Sequence, residues 1–353
     1  MSTKALPRTS AVRVRVARLR VRPALAAIAG LDLLVVLVFA VISPEHVFLG
    51  LDTVSNVSVS AAQVVLLGVA ISLLLGAGEF DVSLGANLVL SSVVAAKVMT
   101  VIAGPNADHA VGLAIGAGVA ASIATGVVFG ILNGLVVTRL GVNSLIATLG
   151  TLGIGTGVSF VITGGVDVPG IPSELQTGFG IREVGGFVPL PAVAAALVCV
   201  GAGLLVAHTR FGLHTLALGS SREAARRTGL PVERHLLVLF ALAGALAGVA
   251  AVIDLARFTT TSVGGHQTDA LTAIAGAVIG GTALWGGRIS IPGTVLGCLL
   301  PVVLGVGLVI QGLQPFYQFI VVGLVLIAAV ALRSSPAAAG GAATAQLTAS
   351  KTR

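Results

Sequence analysis

Ten apolar stretches of roughly membrane-crossing length recur along the 353-residue chain, at 24–43, 56–76, 82–102, 110–137, 143–162, 187–207, 235–254, 269–285, 291–311 and 316–332. A helix needs about 20 apolar residues to cross the hydrocarbon of a bilayer. In that medium every backbone polar group must be satisfied within the protein, so these stretches predict α-helices. Composition agrees. Hydrophobic residues make up 56% and charged residues 9%, against roughly 25% charged in a soluble domain. With 20 basic and 13 acidic side chains the chain cannot coat several soluble domains, which excludes a soluble, a disordered or a nucleic-acid-binding protein. The fold class is an all-α polytopic membrane protein of about ten transmembrane helices. The turns at 77–81 and 286–290 are tight, and either hairpin is compatible with a re-entrant arrangement.

Charge sets the orientation, because cytoplasmic segments collect Lys and Arg. With both termini cytoplasmic, the inner segments hold 17 of the 20 bases. The basic stretch 1–23 then reads as a retained cytoplasmic tail lying against anionic lipid. Residues 24–332 form the transmembrane domain, with a long inner loop at 208–234. The Ala-, Gly-, Ser- and Thr-rich segment 333–353 reads as a disordered cytoplasmic tail. This places the chain in the cell membrane, multi-pass.

Small-residue pairs four apart favour close helix approach. They include Gly126/Gly130/Gly134, Gly153/Gly157, Gly244/Gly248, Gly276/Gly280 and Gly293/Gly297. At an offset of 208, Gly68, Gly78 and Gly85 fall on Gly276, Gly286 and Gly293, the kind of internal duplication transporters use. Catalytic chemistry is not apparent. No lysine follows a glycine, so a phosphate-cradling G-x-x-x-x-G-K motif is missing. The six histidines lack metal-ligand spacing, and Cys199 and Cys298 sit in apolar runs as small hydrophobes. Asp32 alone lies well inside a span. We therefore assign no catalytic residue, no metal site and no bound cofactor, and infer that the driving energy comes from a partner.

The inner loop carries its own helix punctuation. Ser221 is a plausible N-cap, and Glu223 lies in the first turn, where the helix dipole favours an acid. Arg226 and Arg227 fall in the last turn. Gly229 is a natural stop and Pro231 blocks resumption. The pattern predicts a short helix over 222–228, standing outside the membrane as a docking element.

The segment from Gly219 to Leu230, GSSREAARRTGL, resembles the E-A-A-type loop of ATP-binding-cassette importer permeases. Two further segments resemble the ribose/xylose-type sugar permeases, in the branched-chain amino acid/sugar permease superfamily. The first, GEFDVSLG, carries Gly78, Glu79, Asp81, Ser83 and Gly85. The second, DALTAIAGAVIGGTALWGGRISIPG over 269–293, carries Gly280, Gly281, Thr282, Gly286, Gly287 and Arg288. Asn143 to Gly165 also fits, and the likeness runs from about residue 50 to 332. It departs at Trp285, where the family has a small or polar residue, and at Ile289 and Ile291.

The resemblance implies a permease subunit that translocates a monosaccharide or related polyol. ATP is hydrolysed by a separate cytoplasmic ATPase with two fused cassettes. A periplasmic or lipid-anchored sugar-binding protein delivers substrate, and a second permease chain, identical or related, completes the pathway. Coupling to the ATPase falls on Arg222, Glu223, Ala224, Ala225 and Gly229. Among the polar residues of the spans, Asn87 and Thr151 are the candidates for the substrate pathway. A branched-chain amino-acid permease is the alternative within the superfamily, and a stand-alone proton-coupled carrier is the alternative of another class.

Overall fold

The computed structural model describes residues 21–104 and 109–314, together with positions 317, 320, 323, 324 and 327. Among the described residues, twelve α-helices follow one another. They are α1 (Val21–Ile42), α2 (Leu51–Gly76), α3 (Leu84–Ala103), α4 (Val111–Arg139), α5 (Ser144–Thr163), the single turn α6 (Ser173–Leu175), α7 (Leu190–His208), α8 (Arg210–Ser220), α9 (Arg222–Arg227), α10 (Val232–Phe258), α11 (Asp269–Ile279) and α12 (Ile291–Ile310). Two-residue strands β1 (Glu183–Val184) and β2 (Val188–Pro189) pair antiparallel before α7.

Eight of these helices, α1 to α5, α7, α10 and α12, are long and apolar enough to cross a membrane. They match eight of the ten expected stretches. The stretch at 269–285 differs, because its helix, α11, stops after 11 residues, about 16 Å of rise. Gly281 stops it. Its φ of +99° allows Gly281 N to bond Val278 O and Thr282 N to bond Ala277 O, a Schellman closure. The last stretch, 316–332, and both proposed tails lie largely or wholly outside the described residues. Residues 208–220 were read as loop, yet α8 occupies most of them. Thr209 starts it by accepting from Gly212 N.

Helix α10 is the central post and packs against α2, α3 and α4. Its contact with α4 has almost no side chains in it. A Cβ on Gly126 would lie 2.2 Å from the Gly244 carbonyl oxygen, and one on Gly130 would lie 2.2 Å from the Phe240 carbonyl oxygen. Ser122 Oγ donates to the Gly248 carbonyl at 2.8 Å in the same seam. The pair Gly276/Gly280 meets Gly293/Gly297 in the same way between α11 and α12. By contrast, Gly153 and Gly157 on α5 face open space.

One ionic cluster sits where α10 gives way to α11. His266, in the loop 259–268, points Nδ1 at Asp269 Oδ2, 2.7 Å away, and Nε2 at Asp254 Oδ2, 3.3 Å away. Asp254 is 1% exposed. Gln63 of α2 places its amide 3.1 Å from Nδ1. Two carboxylates facing the two ring nitrogens favour the imidazolium, whose nitrogens both donate. Gln63 then presents its amide oxygen, an assignment set by the network. Burial alone would lower the His266 pKa, but the hydrogen bonds and charges of Asp254 and Asp269 outweigh it and raise the value to about 10. Two further charged groups stand near this loop: Arg257 of α10, whose Nη1 donates to Ser60 Oγ at 2.7 Å, and Asp167, whose Oδ1 accepts from Val263 N at 2.7 Å.

Two outcomes follow from this packing. Gly244→Val should destabilise the purified protein by about 1–3 kcal/mol, as overpacking does, while Gly157→Ala leaves thermal unfolding unchanged. Equal Tm values for the two variants would contradict the seam. Because folded His266 holds its proton more tightly than the unfolded ring, its stabilisation is full below the ordinary histidine pKa and is lost as pH climbs toward about 10. Between about pH 7 and about pH 9, wild-type Tm should fall more steeply than that of His266→Gln. Parallel slopes would contradict the charged bridge.

Candidate functional site

The three sequence signatures meet at the end of the bundle that carries α9. The first is the linker from α2 to α3. Helix α2 ends in a Schellman closure, with Gly78 at φ +79°, Gly78 N bonded to Leu75 O and Glu79 N bonded to Leu74 O. The chain then runs extended along α5. Phe80 N donates to Ser144 Oγ at 3.1 Å and Val82 N to Thr148 Oγ1 at 3.2 Å. These side chains satisfy backbone donors that no strand or helix serves. Asp81 is 1% exposed. Its Oδ1 accepts from Ser83 N at 2.8 Å and from Ser83 Oγ at 2.5 Å. Asn133 of α4 donates to Ser83 Oγ at 2.8 Å and approaches Asp81 Oδ2 at 3.4 Å. Burial pushes the Asp81 pKa up to about 6, and the hydrogen bonds from Ser83 and Asn133 hold it from rising further. Gly85 lies in the first turn of α3 with the carbonyl of His266 against it.

The second signature closes the turn between α11 and α12. Arg288 Nε donates to the Gly281 carbonyl at 2.9 Å, and Ala283 N bonds Arg288 O. Thr282 belongs to a buried hydroxyl triad with Ser72 of α2 and Thr294 of α12, in which Ser72 Oγ and Thr294 Oγ1 are 2.6 Å apart. Gly286 and Gly287 have positive φ. Gly287 N donates to the Gly76 carbonyl at 3.0 Å, so the two hairpins are joined backbone to backbone.

The third is the α8–α9 segment. Gly219 is wedged into that junction. A Cβ there would lie 2.0 Å from Gly76 O and 2.5 Å from Gly287 N. Ser221 caps α9, accepting from Ala224 N at 3.2 Å. Gly229, at φ +83°, closes the helix by bonding Arg226 O, with Leu230 N bonded to Ala225 O. Arg222 forms an ion pair with Glu79 of the first signature. Glu79 is buried and Arg222 half-exposed. Arg226 pairs with Glu233, and Arg227 with Glu223, both on the surface, where such pairs contribute little stability. Ala224 is exposed whereas Ala225 is buried.

Between the segments lies a cleft of about 670 Å³, lined among others by Glu79, Phe80, Asn143, Ser221, Arg222 and Trp285. Trp285 is 81% exposed and meets Phe80 edge-on, with ring centroids 6.2 Å apart. Asn143 caps α5, accepting from Leu145 N. The two pathway candidates are placed differently. Asn87 is fully buried, donating to the Gly126 carbonyl at 3.3 Å and accepting from Ser91. Thr151 is half-buried on α5 and bonds its own helix at Thr148 O. Sequence reasoning did not pair Glu79 with Arg222, which are 143 positions apart. Only the acid in one signature and the base in another hinted at it.

The signature segments of this helical bundle thus converge on a short, capped, surface helix. The family described as "Branched-chain amino acid transport system / permease component" matches residues 53–330, and the chain belongs to it. It is a multi-pass protein of the cell membrane. It is 32% identical over 299 residues to the D-allose transport system permease protein of Escherichia coli, covering 85% of this chain and 88% of that one. It is 35% identical over 307 residues to the ribose import permease protein of Bacillus subtilis, covering 86% and 90%. The L-arabinose transport system permease protein of Escherichia coli is 36% identical over 202 residues, covering 56% and 60%. No solved structure matches the chain.

Gly219→Ala tests the convergence. The added methyl should force the α8–α9 segment off both hairpins, at a cost of about 1–3 kcal/mol, and depress transport more than membrane yield. Unchanged Tm and uptake would show that the junction is not close-packed.

Proposed function

We propose that this chain is the membrane permease subunit of an ATP-binding-cassette importer for a monosaccharide or related polyol. The observation that carries the reading is the docking helix α9, braced on both signature hairpins through Gly219 and on the first through Glu79–Arg222. The relatives named for allose, ribose and arabinose transport support sugar over branched-chain amino acids. They also weigh against a stand-alone proton-coupled carrier.

In this reading the α9 end faces the cytoplasm, where the ATPase engages the surface of α9. An extracytoplasmic binding protein delivers sugar at the opposite end, near the segment 164–189 and the loop 259–268. A second permease chain packs alongside. The exposed glycine face of α5 borders the pathway, and Thr151 on that helix is better placed to meet sugar than Asn87, which is committed to packing. Fused cassettes in the ATPase and a homodimeric permease pair complete the proposed assembly.

The two alanines of α9 divide the labour. Ala224 faces outward and suits a tight groove in the ATPase, whereas Ala225 packs inward against the chain's own core. Ala224→Trp should leave insertion and Tm intact while cutting ATP-driven sugar uptake at least about tenfold, the loss of roughly 1.4 kcal/mol of coupling. Ala225→Trp should instead lower Tm and yield. Normal ATP-driven uptake by the Ala224→Trp chain, reconstituted with its ATPase and binding protein, would overturn the docking role. Uptake of labelled leucine in place of labelled ribose, allose or arabinose would overturn the sugar assignment.

A further inference from the structure

The docking helix α9 and the loop 259–268 are linked through the signature segment Gly78–Gly85. At its near end Glu79 pairs with Arg222 of α9. At its far end Gly85 has no room for a side chain, because the His266 carbonyl oxygen would lie 2.2 Å from a Cβ there. The six peptide steps between them reach at most about 20 Å; they bend at Val82 and turn at Ser83 into α3, and hydrogen bonds to Ser144, Thr148 and Asn133 hold them in place.

His266 is itself a crossroads. Its ring touches Asp254 of α10, Asp269 at the start of α11 and Gln63 of α2. Its φ of +61° is a left-handed conformation that a non-glycine residue keeps only when its surroundings enforce it. The same loop is stitched to the segment after α5. Val263 N donates to Asp167 Oδ1 at 2.7 Å, and Val168 N to Thr261 Oγ1 at 2.8 Å. A continuous series of short contacts thus runs from Asp167 through the loop 259–268 to His266, Gly85, Glu79 and Arg222.

We propose that His266 is a positioning residue for transport. Held between Asp254 and Asp269, it locks the loop 259–268 onto the far end of the signature segment, so that the docking helix at one face and the receiving loop at the other bias one rigid element. The transport role rests on the permease reading above, whereas the mechanical link rests on the contacts alone. A double-mutant cycle measures the energetic coupling along this path directly.

Gly264 in the loop is exposed, with nothing near its missing side chain, so Gly264→Cys reports the loop's opening. The full chain in lipid nanodiscs carries Gly264→Cys with Cys199→Ala, and Cys298 is fully buried. A maleimide is the probe, and its labelling rate is compared with and without Glu79→Gln. With His266 present, Glu79→Gln should raise the rate at least about threefold, beyond the roughly twofold scatter of independent sites. In a His266→Gln background Glu79→Gln should have no further effect. His266→Lys, which retains a positive charge between the carboxylates, should restore the response, whereas a space-filling role would not distinguish Lys from Gln. The same factor in all backgrounds, or a Lys chain that behaves as the Gln chain, overturns the proposal. Arg222→Ala, at a half-exposed position, repeats the cycle from the partner side should Glu79→Gln fold poorly. ATP-driven uptake by the wild-type complex is the separate control, and its absence would sink the permease reading without touching the labelling result.

Discussion

The carbonyl of Gly76 is the point on which the site depends. It closes the last turn of α2, where a helix leaves acceptors without an intrahelical partner, and in an apolar surrounding such a group must be satisfied. Gly287 N supplies the bond, and that single donor draws the second hairpin onto the first. Gly219 then has to be glycine, since any side chain would collide with the same oxygen. The three signatures are therefore three parts of one backbone junction. The space around that carbonyl explains Gly219, the His266 carbonyl explains Gly85, the close approach of Gly293 explains Gly280, and left-handed stops explain Gly78, Gly229 and Gly281.

Charge is used sparingly, and several charged groups of the site are paired. Glu79 answers Arg222, Glu223 answers Arg227 and Glu233 answers Arg226. Asp254 and Asp269 share His266. A buried ion pair adds little net stability but is costly to break on one side, so Glu79 with Arg222 and the His266 cluster fix geometry more than they add strength, whereas the two surface pairs contribute little. Asp81 follows the same logic without a counter-ion, held by hydroxyl and amide donors. Asp32 is the exception. It is buried on α1, and its carboxylate has no hydrogen-bond partner among the described residues.

Much of this was legible in the sequence. Hydropathy located eight spans to within a few residues, because twenty apolar residues in lipid admit little but a helix. Ser221, Glu223 and Gly229 marked α9, since caps and stops act locally. What escaped depended on distance or on sidedness. The 208-residue offset set Gly78 on Gly286, yet the residue that stops α11 as Gly78 stops α2 is Gly281, so the second hairpin carries extra residues after its stop. An apolar run could not show that α11 ends at Ile279, because residues 280–285 are uncharged and continue the run but turn on two glycines. Ala224 and Ala225 are the same residue type in the same motif, and only packing tells their faces apart.

The shortness of α11 bears on how the chain is made. A helix of eleven residues covers about half the hydrocarbon, and the irregular backbone flanking it is tolerated only when protein surrounds it. It cannot be stitched into lipid as a separate unit. Its neighbours are α12 and α2: Cys298 of α12 lies against both Gly276 of α11 and Gly68 of α2, and Ser72 of α2 meets Thr282 just past the end of α11. The α11–α12 hairpin is thus seated as a unit on α2. A lesion that loosens α2 would show first as failed assembly of the last helices, before any defect in the contacts of α2 itself.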